Sequence, residues 1–484
     1  MSKLKSLKLN FVMNTFKTIM TIIFPFISFP YVSRILGVNV IGTVSYTESI
    51  VNYFLLFSSL GISAYGTREA ARCRDDKSRL GKLVTELFVI NLITMTVSYA
   101  AFGIFLKCTK NSYVGLMVVQ SMIIFLTTVG MEWFFVATED YRYLSLASIV
   151  CQLLALATLF AFVKNPRDYI IYAGVVVFAT VGSGAVNYIY ISRKIQLFSY
   201  PNLNLKRHIK PILIIFGTNL ASAIYLNLDI TMLGLMRGNN DVGLYTAAVK
   251  LYRASTKLLG CVSAVILPRI SYYLSQNLKQ EVENLVTKAG NYVLMLAIPA
   301  GLGLIAVNQP LIILFSGAKF KSASAALSIL AIGVVFATLN GMLAWQILVP
   351  FKKEYVVFYS TLAGAITNFV TNILLIPLFG IKGASFTTVL SEIVVFAICI
   401  MNIKKLVQIK GVFKFIYQYL VASGGMLLTI YFLAYLSMGE LLSLAIDVIV
   451  GVTVYFIILA IFKNNYLYEV LELGMNRIKK KDKM

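Results

Sequence analysis

The chain has 484 residues, of which 59% are hydrophobic and only 13% are charged. Soluble domains are about half apolar and about a quarter charged, so this composition excludes an ordinary soluble protein. A net charge of +23 suits nucleic-acid binding only when the charges share a basic face. Here they lie between long apolar blocks, which excludes that class and indicates a membrane protein.

The apolar blocks are long enough to cross a bilayer, because a spanning helix needs about 20 mostly apolar residues. Backbone polar groups must be satisfied within each segment in lipid, so the blocks are expected to be helices. We predict an all-α integral membrane protein with 14 transmembrane helices. The predicted spans are residues 9–33, 41–65, 83–106, 112–136, 143–163, 168–192, 211–235, 243–268, 289–316, 322–349, 355–378, 383–403, 415–437 and 440–462.

Lysine and arginine are distributed unequally between the two sides of these spans. With the N-terminus in the cytoplasm, the inner connections and both termini hold 30 of the 43 Lys and Arg residues, and the outer connections hold 9. This is the asymmetry of the positive-inside rule, so both termini are predicted to be cytoplasmic. The basic tail, residues 464–484, is expected to contact anionic lipid.

The first apolar block follows three lysines, as the apolar part of a signal peptide does. It is too long for one and lacks a small-residue cleavage site, so we expect an uncleaved first helix. The five cysteines are odd in number and lack metal-ligand spacing. They are expected to be isolated thiols.

A short motif occurs twice in the chain, at an offset of 201 residues. Residues 37–42 and residues 238–243 both have the pattern Gly-x-Asn-x-x-Gly. Each motif joins an odd-numbered span to the next one, so the two indicate a parallel repeat about an axis along the membrane normal. The prediction is two pseudo-symmetric six-helix lobes, two further helices and a tail, in residues 1–210, 211–410, 411–463 and 464–484.

Charges within a membrane are costly, so each predicted intramembrane cation is a functional candidate. Lys250, Arg253 and Lys257 are spaced three and four residues apart and share one face of predicted helix 8. This face is expected to line a hydrated cavity or to contact bound anions. The alternative is pairing with carboxylates, and Glu48 and Asp229 lie at a similar depth.

The first predicted helix carries further candidates. Lys17 lies roughly 13 Å inside its span at 1.5 Å per residue, and either faces the lumen or extends to the inner surface. Asn14 shares its face. Arg34, at the outer end, either guards the outer mouth or is an interfacial anchor. Pro25 and Pro30 are expected to bend the helix.

Amides and aromatic side chains within the spans are candidates for contacts with sugars. The alternative for each is a hydrogen bond between helices, which is favoured where two asparagines are spaced i, i+4 on one helix face, at Asn368 and Asn372. The remaining candidates are Asn219, Asn227, Asn340, Trp345 and Gln346.

Catalytic motifs are missing from the sequence. His208, the only histidine, lies beside Lys206, Arg207 and Lys210 in a predicted inner connection and is expected to be a solvated loop residue. The sequence has no Gly-rich phosphate loop with Lys-Ser/Thr and no clustered metal ligands. We therefore predict that the chain is not an enzyme and has no cofactor or metal site.

Short motifs occur along nearly the whole chain. They are Ser33-Arg34-Ile35-Leu36-Gly37 through Gly42, Gly61-Ile62, Arg68-Glu69-Ala70, Glu132-Trp133-Phe134-Phe135, Glu139-Asp140-Tyr141, Asp229 to Gly234, Val242-Gly243-x-Tyr245, Asn372 to Pro377, Gly380-Ile381-x-Gly383-Ala384 and Ser391-Glu392. Together they resemble the bacterial polysaccharide flippases, which are the O-antigen and repeat-unit translocases of the multidrug/oligosaccharidyl-lipid/polysaccharide exporter superfamily.

The resemblance implies fourteen helices in two lobes, in the bacterial cytoplasmic membrane. It implies flipping of undecaprenyl-diphosphate-linked oligosaccharide to the outer leaflet, for surface polysaccharide biosynthesis. Basic lumen residues are important in such proteins, and the matches here are Lys17, Lys250, Arg253 and Lys257. Membrane lipids, a polysaccharide polymerase and assembly machinery are the partners implied.

Other functions remain open at this point. A flippase for lipid II, the peptidoglycan precursor, would use arginine at several lumen positions, but this chain has Lys17 and no cation inside predicted helix 2. A cation-coupled multidrug exporter of the same superfamily would need acidic residues facing its cavity. A membrane glycosyltransferase would need a sizeable outer loop or clustered acids. A lipid-scaffolding role also remains open.

Overall fold

A computed structural model describes residues 7–109, 112–264, 266–433 and 440–472. Within these ranges the regular structure is helical throughout. Eleven of the described helices are long and apolar enough to cross a membrane, or twelve if the two bent halves of Lys206–Met236 count as one span. The chain divides into two compact units, residues 1–243 and 244–484.

The first unit contains nine helices among its described residues and the start of a tenth. They are α1 (Leu7–Ser59), α2 (Ile62–Cys73), α3 (Lys77–Cys108), α4 (Val114–Gly130), α5 (Glu132–Ala137), α6 (Tyr141–Phe162), α7 (Tyr169–Val181), α8 (Ser183–Lys194), α9 (Lys206–Met236) and α10 (Asn239–Ala264). α1 lies at the centre of this unit, because it packs against α3, α4, α6, α7 and α9.

The length of α1 requires a break. Its 53 residues would extend about 80 Å at 1.5 Å per residue, far more than the ~30 Å of a hydrocarbon core. The helix is interrupted at Gly37, where φ is 76° and ψ is 175°, a conformation that is essentially restricted to glycine. It continues through Pro25 and Pro30, both of which lie inside the helix.

The second unit contains the rest of α10 and eight further helices among its described residues. They are α11 (Leu267–Ser275), α12 (Lys279–Ala306), α13 (Asn308–Ser316), α14 (Ala323–Gly341), α15 (Glu354–Phe379), α16 (Ile381–Ile403), α17 (Ile416–Leu433) and α18 (Glu440–Ile461). α16 packs against α14 and α15, and α12 packs against α14 and α17. A π-helical turn, Met342–Leu348, continues α14.

Several predicted boundaries differ from the observed helices. The predicted inner connection 66–82 is mostly helical, because α2 occupies it. The predicted span 289–316 is interrupted, because α12 runs from Lys279 to Ala306 and a separate helix, α13, follows a break at Val307. The cysteines are free thiols, as predicted. The tail beyond residue 472 lies outside the described residues.

Candidate functional site

The two repeat turns, residues 37–42 and 238–243, contact each other within the first unit. A Cβ atom added at Gly42 would lie 1.7 Å from the carbonyl oxygen of Asn239, and one at Gly243 would lie 2.0 Å from that of Val38. Because 38 and 42 correspond to 239 and 243 under the 201-residue offset, the two contacts are equivalent. The sixth residue of each motif packs on the second residue of the other.

The first glycine of each motif also has one shared role. Gly37 and Gly238 have φ values of 76° and 91°, in the region that glycine enters without a steric penalty. Asn239 Nδ2 donates to Thr43 Oγ1 at 2.8 Å and to the Tyr113 hydroxyl at 3.2 Å. The repeat therefore preserves a backbone conformation at its first position and a close backbone approach at its last.

Lys17 forms an ion pair that the sequence analysis missed. Its Nζ lies 3.2 Å from Glu132 Oε2, and the side chains are 21% and 48% exposed. Glu132 begins α5, directly after Met131, whose backbone is left-handed with φ 40°. The break between α4 and α5 thus presents a carboxylate to the cation of α1.

Arg34 lies four residues after Pro30 in α1 and donates from Nη1 to the Pro30 backbone oxygen at 2.5 Å. Its side chain is exposed. This bond ties the Arg34 side chain to the preceding turn of α1.

The other polar candidates of the first unit differ in exposure. Asn14, Glu48 and Asn219 are exposed. Asn227 is half-buried and donates from Nδ2 to the carbonyl four residues before it, at 3.0 Å. Asp229 is buried, at 7% exposure. Asn14, Glu48 and Asn219 are thus the more accessible of these groups, and Asn227 is satisfied within its own helix.

The predicted cationic face, Lys250, Arg253 and Lys257, lies on the part of α10 that belongs to the second unit. Lys250 and Arg253 are half-buried, and Lys257 is exposed. Beside them, the buried Tyr252 donates from its hydroxyl to Glu392 Oε1 at 3.2 Å. This contact joins α10 to α16.

Glu392 is held by a second helix as well. Asn340 Nδ2 on α14 donates to Glu392 Oε2 at 2.7 Å and to its backbone oxygen at 2.9 Å. Glu392 is 9% exposed, and a buried carboxylate is stable only when it is paired and hydrogen-bonded. In the sequence, Glu392 stands out only as part of the Ser391-Glu392 motif, which does not indicate this role.

Trp345 and Gln346 lie on the π-helical turn that follows α14. The Trp345 side chain is 59% exposed. With the amide nitrogen of Gln346 turned towards the helix, it donates to the Gly341 carbonyl at 2.6 Å. π-helical turns are rare and frequent at functional sites, which makes the exposed Trp345 the stronger contact candidate of the two.

Asn368 and Asn372 form the hydrogen bonds that their spacing favours. Asn372 Nδ2 donates to Asn368 Oδ1 at 2.9 Å, and Thr387 Oγ1 on α16 donates to Asn372 Oδ1 at 2.5 Å. All three residues are buried. The prediction of a hydrogen bond between helices is confirmed for Asn372, whereas the bond of Asn368 lies within α15.

The prediction for His208 is wrong. The side chain is only 2% exposed, in the first turn of α9, where the Tyr65 hydroxyl lies 2.7 Å from Nδ1 and Glu86 Oε2 lies 2.9 Å from Nε2. Arg207 pairs with the same carboxylate, and the backbone N–H of Asn204 donates to its Oε1 at 2.7 Å. The fully buried Glu86 thus holds α9 against α3 and explains why histidine is enclosed here.

A further ion pair links two connections of the first unit. Arg74 Nη1 donates to Glu139 Oε1 at 2.6 Å. This hydrogen bond raises the pKa of the Arg74 guanidinium above its usual range. Arg74 follows α2 and Glu139 precedes α6, so the pair connects segments that lie outside the spanning helices.

The second unit contains a largely apolar cavity of about 490 Å³. α12, α17 and α18 supply most of its wall, with side chains such as Leu296, Met426 and Val452. Asp447 is a buried acid in the same wall, at 6% exposure. A cavity of this size and character suits a flexible apolar chain.

The chain is similar in sequence to proteins named as transporters or flippases. The chain is 22% identical over 389 residues to a Shigella dysenteriae protein named for O-antigen transport, covering 79% of this chain and 96% of the relative. It is 26% identical over 258 residues to a Haloferax volcanii protein named as the flippase AglR, covering 53% and 54%.

Solved structures share the fold. The lipid II flippase MurJ in its inward-closed conformation superposes with a TM-score of 0.74 at 17% identity, covering 94% of this chain and 99% of that one. An inward-facing multidrug resistance MATE family transporter of the MOP superfamily gives a TM-score of 0.58 at 15% identity, covering 82% and 98%. The family described as "Polysaccharide biosynthesis protein" matches residues 7–274, more than half of the chain, and the protein belongs to this family.

Proposed function

We propose that the protein is a flippase that moves undecaprenyl-diphosphate-linked oligosaccharide repeat units from the inner to the outer leaflet of a bacterial cytoplasmic membrane. It does so by alternating access, for surface polysaccharide biosynthesis. The observation that carries this proposal is the cationic face of α10. Lys250 and Arg253 are half-buried, Lys257 is exposed, and the three cations share one face of the helix.

The chemistry of the cargo matches that face. Lysine and arginine form strong charge-assisted hydrogen bonds with phosphate oxygens, and a diphosphate carries the charge that three cations can neutralise. The apolar cavity beside α12, α17 and α18 offers a wall for part of the polyprenyl chain, which otherwise stays in lipid. The names of the relatives support a glycan flippase.

The proposed topology has fourteen spans with both termini inside. α1 is one of the eleven candidate spans, although Gly37 divides it into two helices. α9 is bent, and α10 lies outside the eleven because its four charged residues, Asp241, Lys250, Arg253 and Lys257, lie within 17 positions. If α1 is divided into two spans, α9 is taken as one span and α10 is included, the number of spans rises from eleven to fourteen.

Replacing Arg253 with alanine tests the function. In the native host, Arg253→Ala is expected to abolish surface polysaccharide and to leave lipid-linked repeat units in the inner leaflet, while the protein remains inserted. Arg269→Ala is the matched control, because Arg269 is an exposed arginine of α11 outside the cationic face. Normal surface polysaccharide in the Arg253 variant would exclude the face as the diphosphate site.

The same experiment separates this function from the alternatives. A flippase for the peptidoglycan precursor carries the same diphosphate, so its loss would cause lysis instead of a cell that grows without surface polysaccharide. A multidrug exporter would leave both surface polymers intact and would change drug sensitivity. Lysis of the Arg253 variant would therefore reassign the cargo to lipid II.

A further inference from the structure

The first unit contains a cavity that lies between α1, α4 and α7. Its volume is about 200 Å³. Four polar residues line it, Glu48, Asn52, Gln120 and Thr180, and the remaining lining side chains are apolar. Of the four, only Glu48 is a candidate from the sequence.

Gln120 supplies an acceptor that the protein does not use. The residue is 4% exposed, and its Nε2 donates to the Val44 carbonyl at 3.0 Å. Its Oε1 has no hydrogen-bond partner among the described residues. Buried polar atoms are nearly always satisfied, so this oxygen is an acceptor that a ligand donor could use.

The neighbouring polar groups are also acceptors. Thr180 donates its hydroxyl hydrogen to the Val176 carbonyl at 2.8 Å, which leaves only the lone pairs of Oγ1 for a ligand. An ionised carboxylate such as that of Glu48 accepts hydrogen bonds and cannot donate them. The cavity therefore combines three acceptors and the Asn52 amide, which both donates and accepts, with an apolar wall. It suits a ligand that carries several hydroxyl groups.

The size and charge of the cavity restrict that ligand. One water needs only about 10–15 Å³ of such space, so the cavity is far larger than a bare ion. The Glu48 carboxylate disfavours an anion, and a purely apolar chain would leave Gln120 Oε1 unsatisfied. A pyranose ring has hydroxyl donors at its edge and C–H groups on its faces, which match the acceptors and the valine side chains respectively.

We propose that this cavity is a sugar subsite, which receives one pyranose ring of the glycan through hydrogen bonds from its hydroxyl groups to Gln120, Thr180 and Glu48. This inference rests on the proposed function and adds a site for the uncharged part of the cargo. Because a site built to hydrogen-bond hydroxyl groups discriminates strongly against analogues that lack them, the subsite also contributes to the choice of repeat unit.

Binding of free sugars to the full-length protein in lipid nanodiscs tests the subsite. Saturation-transfer NMR with glucose, galactose, rhamnose and N-acetylglucosamine should detect binding of at least one of them. Gln120→Leu and Thr180→Val each remove one acceptor at similar side-chain volume. Each variant should bind that sugar about tenfold more weakly. Using two variants from different helices protects the test against a folding defect in either.

Gln152→Leu is the matched control. Gln152 on α6 is also buried, at 5% exposure, with an Oε1 that has no partner among the described residues, but it does not line the cavity. Its variant should bind the sugar as the unmodified protein does. Absence of sugar binding to the unmodified protein, or equal binding by the Gln120 and Thr180 variants, would overturn the subsite.

The outcome is separable from that of the Arg253 experiment. If the unmodified protein binds no sugar but Arg253→Ala abolishes export, the subsite is rejected and the flippase function stands. If sugar binding depends on Gln120 but Arg253→Ala exports normally, the subsite stands and the diphosphate site is rejected.

Discussion

Replacing Gly42 with alanine places a methyl group where the two repeat turns touch. The new Cβ would lie 1.7 Å from the Asn239 carbonyl oxygen, whereas ordinary contacts begin at 3.4 Å. The neighbour is backbone, so no side-chain rotation relieves the overlap. The turns must therefore separate by an amount on the order of 1.7 Å, which is half of an optimal carbon contact.

The magnitude follows from two contributions. Overpacking of this kind costs about 1–3 kcal/mol. Separation also weakens the hydrogen bond from Asn239 Nδ2 to Thr43 Oγ1, now 2.8 Å, and a net hydrogen bond contributes about 1 kcal/mol. We expect Gly42→Ala to lower the free energy of unfolding by about 2–4 kcal/mol, and Gly243→Ala to have a similar effect.

Thermal unfolding of the purified protein in nanodiscs measures this loss. For a unit of this size each kcal/mol corresponds to about 2–4 °C, so Gly42→Ala should melt several degrees below the unmodified protein. The two variants modify a single interface, so their combined effect should be less than the sum.

Gly103→Ala and Gly115→Ala are the controls, because a Cβ atom at either position meets nothing within 4 Å. Both lie in helices, where alanine is favoured over glycine by about 1 kcal/mol, so their melting temperatures should stay level or rise. If Gly42→Ala and Gly103→Ala melted together, the interlocking of the repeat turns would be refuted.

Three further outcomes are expected. Glu86→Ala should lower the free energy of unfolding by about 2–4 kcal/mol, because it leaves buried donors without an acceptor; melting equal to that of the unmodified protein would contradict this. Lys17→Ala and Glu132→Ala should show a coupling below about 1 kcal/mol in a double-mutant cycle, because both side chains are partly exposed; stronger coupling would indicate a buried pair. Glu392→Gln should lower the free energy of unfolding by about 1.5–3 kcal/mol, because one charge-assisted acceptor is lost. Chemical denaturation measures this loss, and Glu281→Gln, in the first turn of α12, is the control.

Apolar length predicted the existence of helices better than their ends. The predicted span 83–106 lies within α3, Lys77–Cys108, and span 383–403 within α16, Ile381–Ile403. α12, in contrast, begins ten residues before its predicted start. A helix continues beyond the hydrocarbon without a change in backbone geometry, so hydrophobicity alone does not mark where it begins.

Partners that are distant in the sequence were beyond prediction. Lys17 and Glu132 are 115 residues apart, and Glu86 and His208 are 122 apart. The basic neighbours of His208 indicated solvent, because nothing local shows that a carboxylate of α3 lies against α9. The repeat was visible as a pattern of glycines, but the contact between its two copies depends on their three-dimensional arrangement.

The enclosed carboxylate of Glu86 also constrains how the protein can move. Its donors come from the segment before α9 and from the first turn of α9 itself, while Tyr65 of α2 contacts the same histidine. Moving the first turn of α9 away would leave the Glu86 carboxylate buried without its hydrogen-bond donors, which is strongly unfavourable. The start of α9 is therefore bound to both α2 and α3, and we expect a displacement of this end of α9 to move those two helices with it.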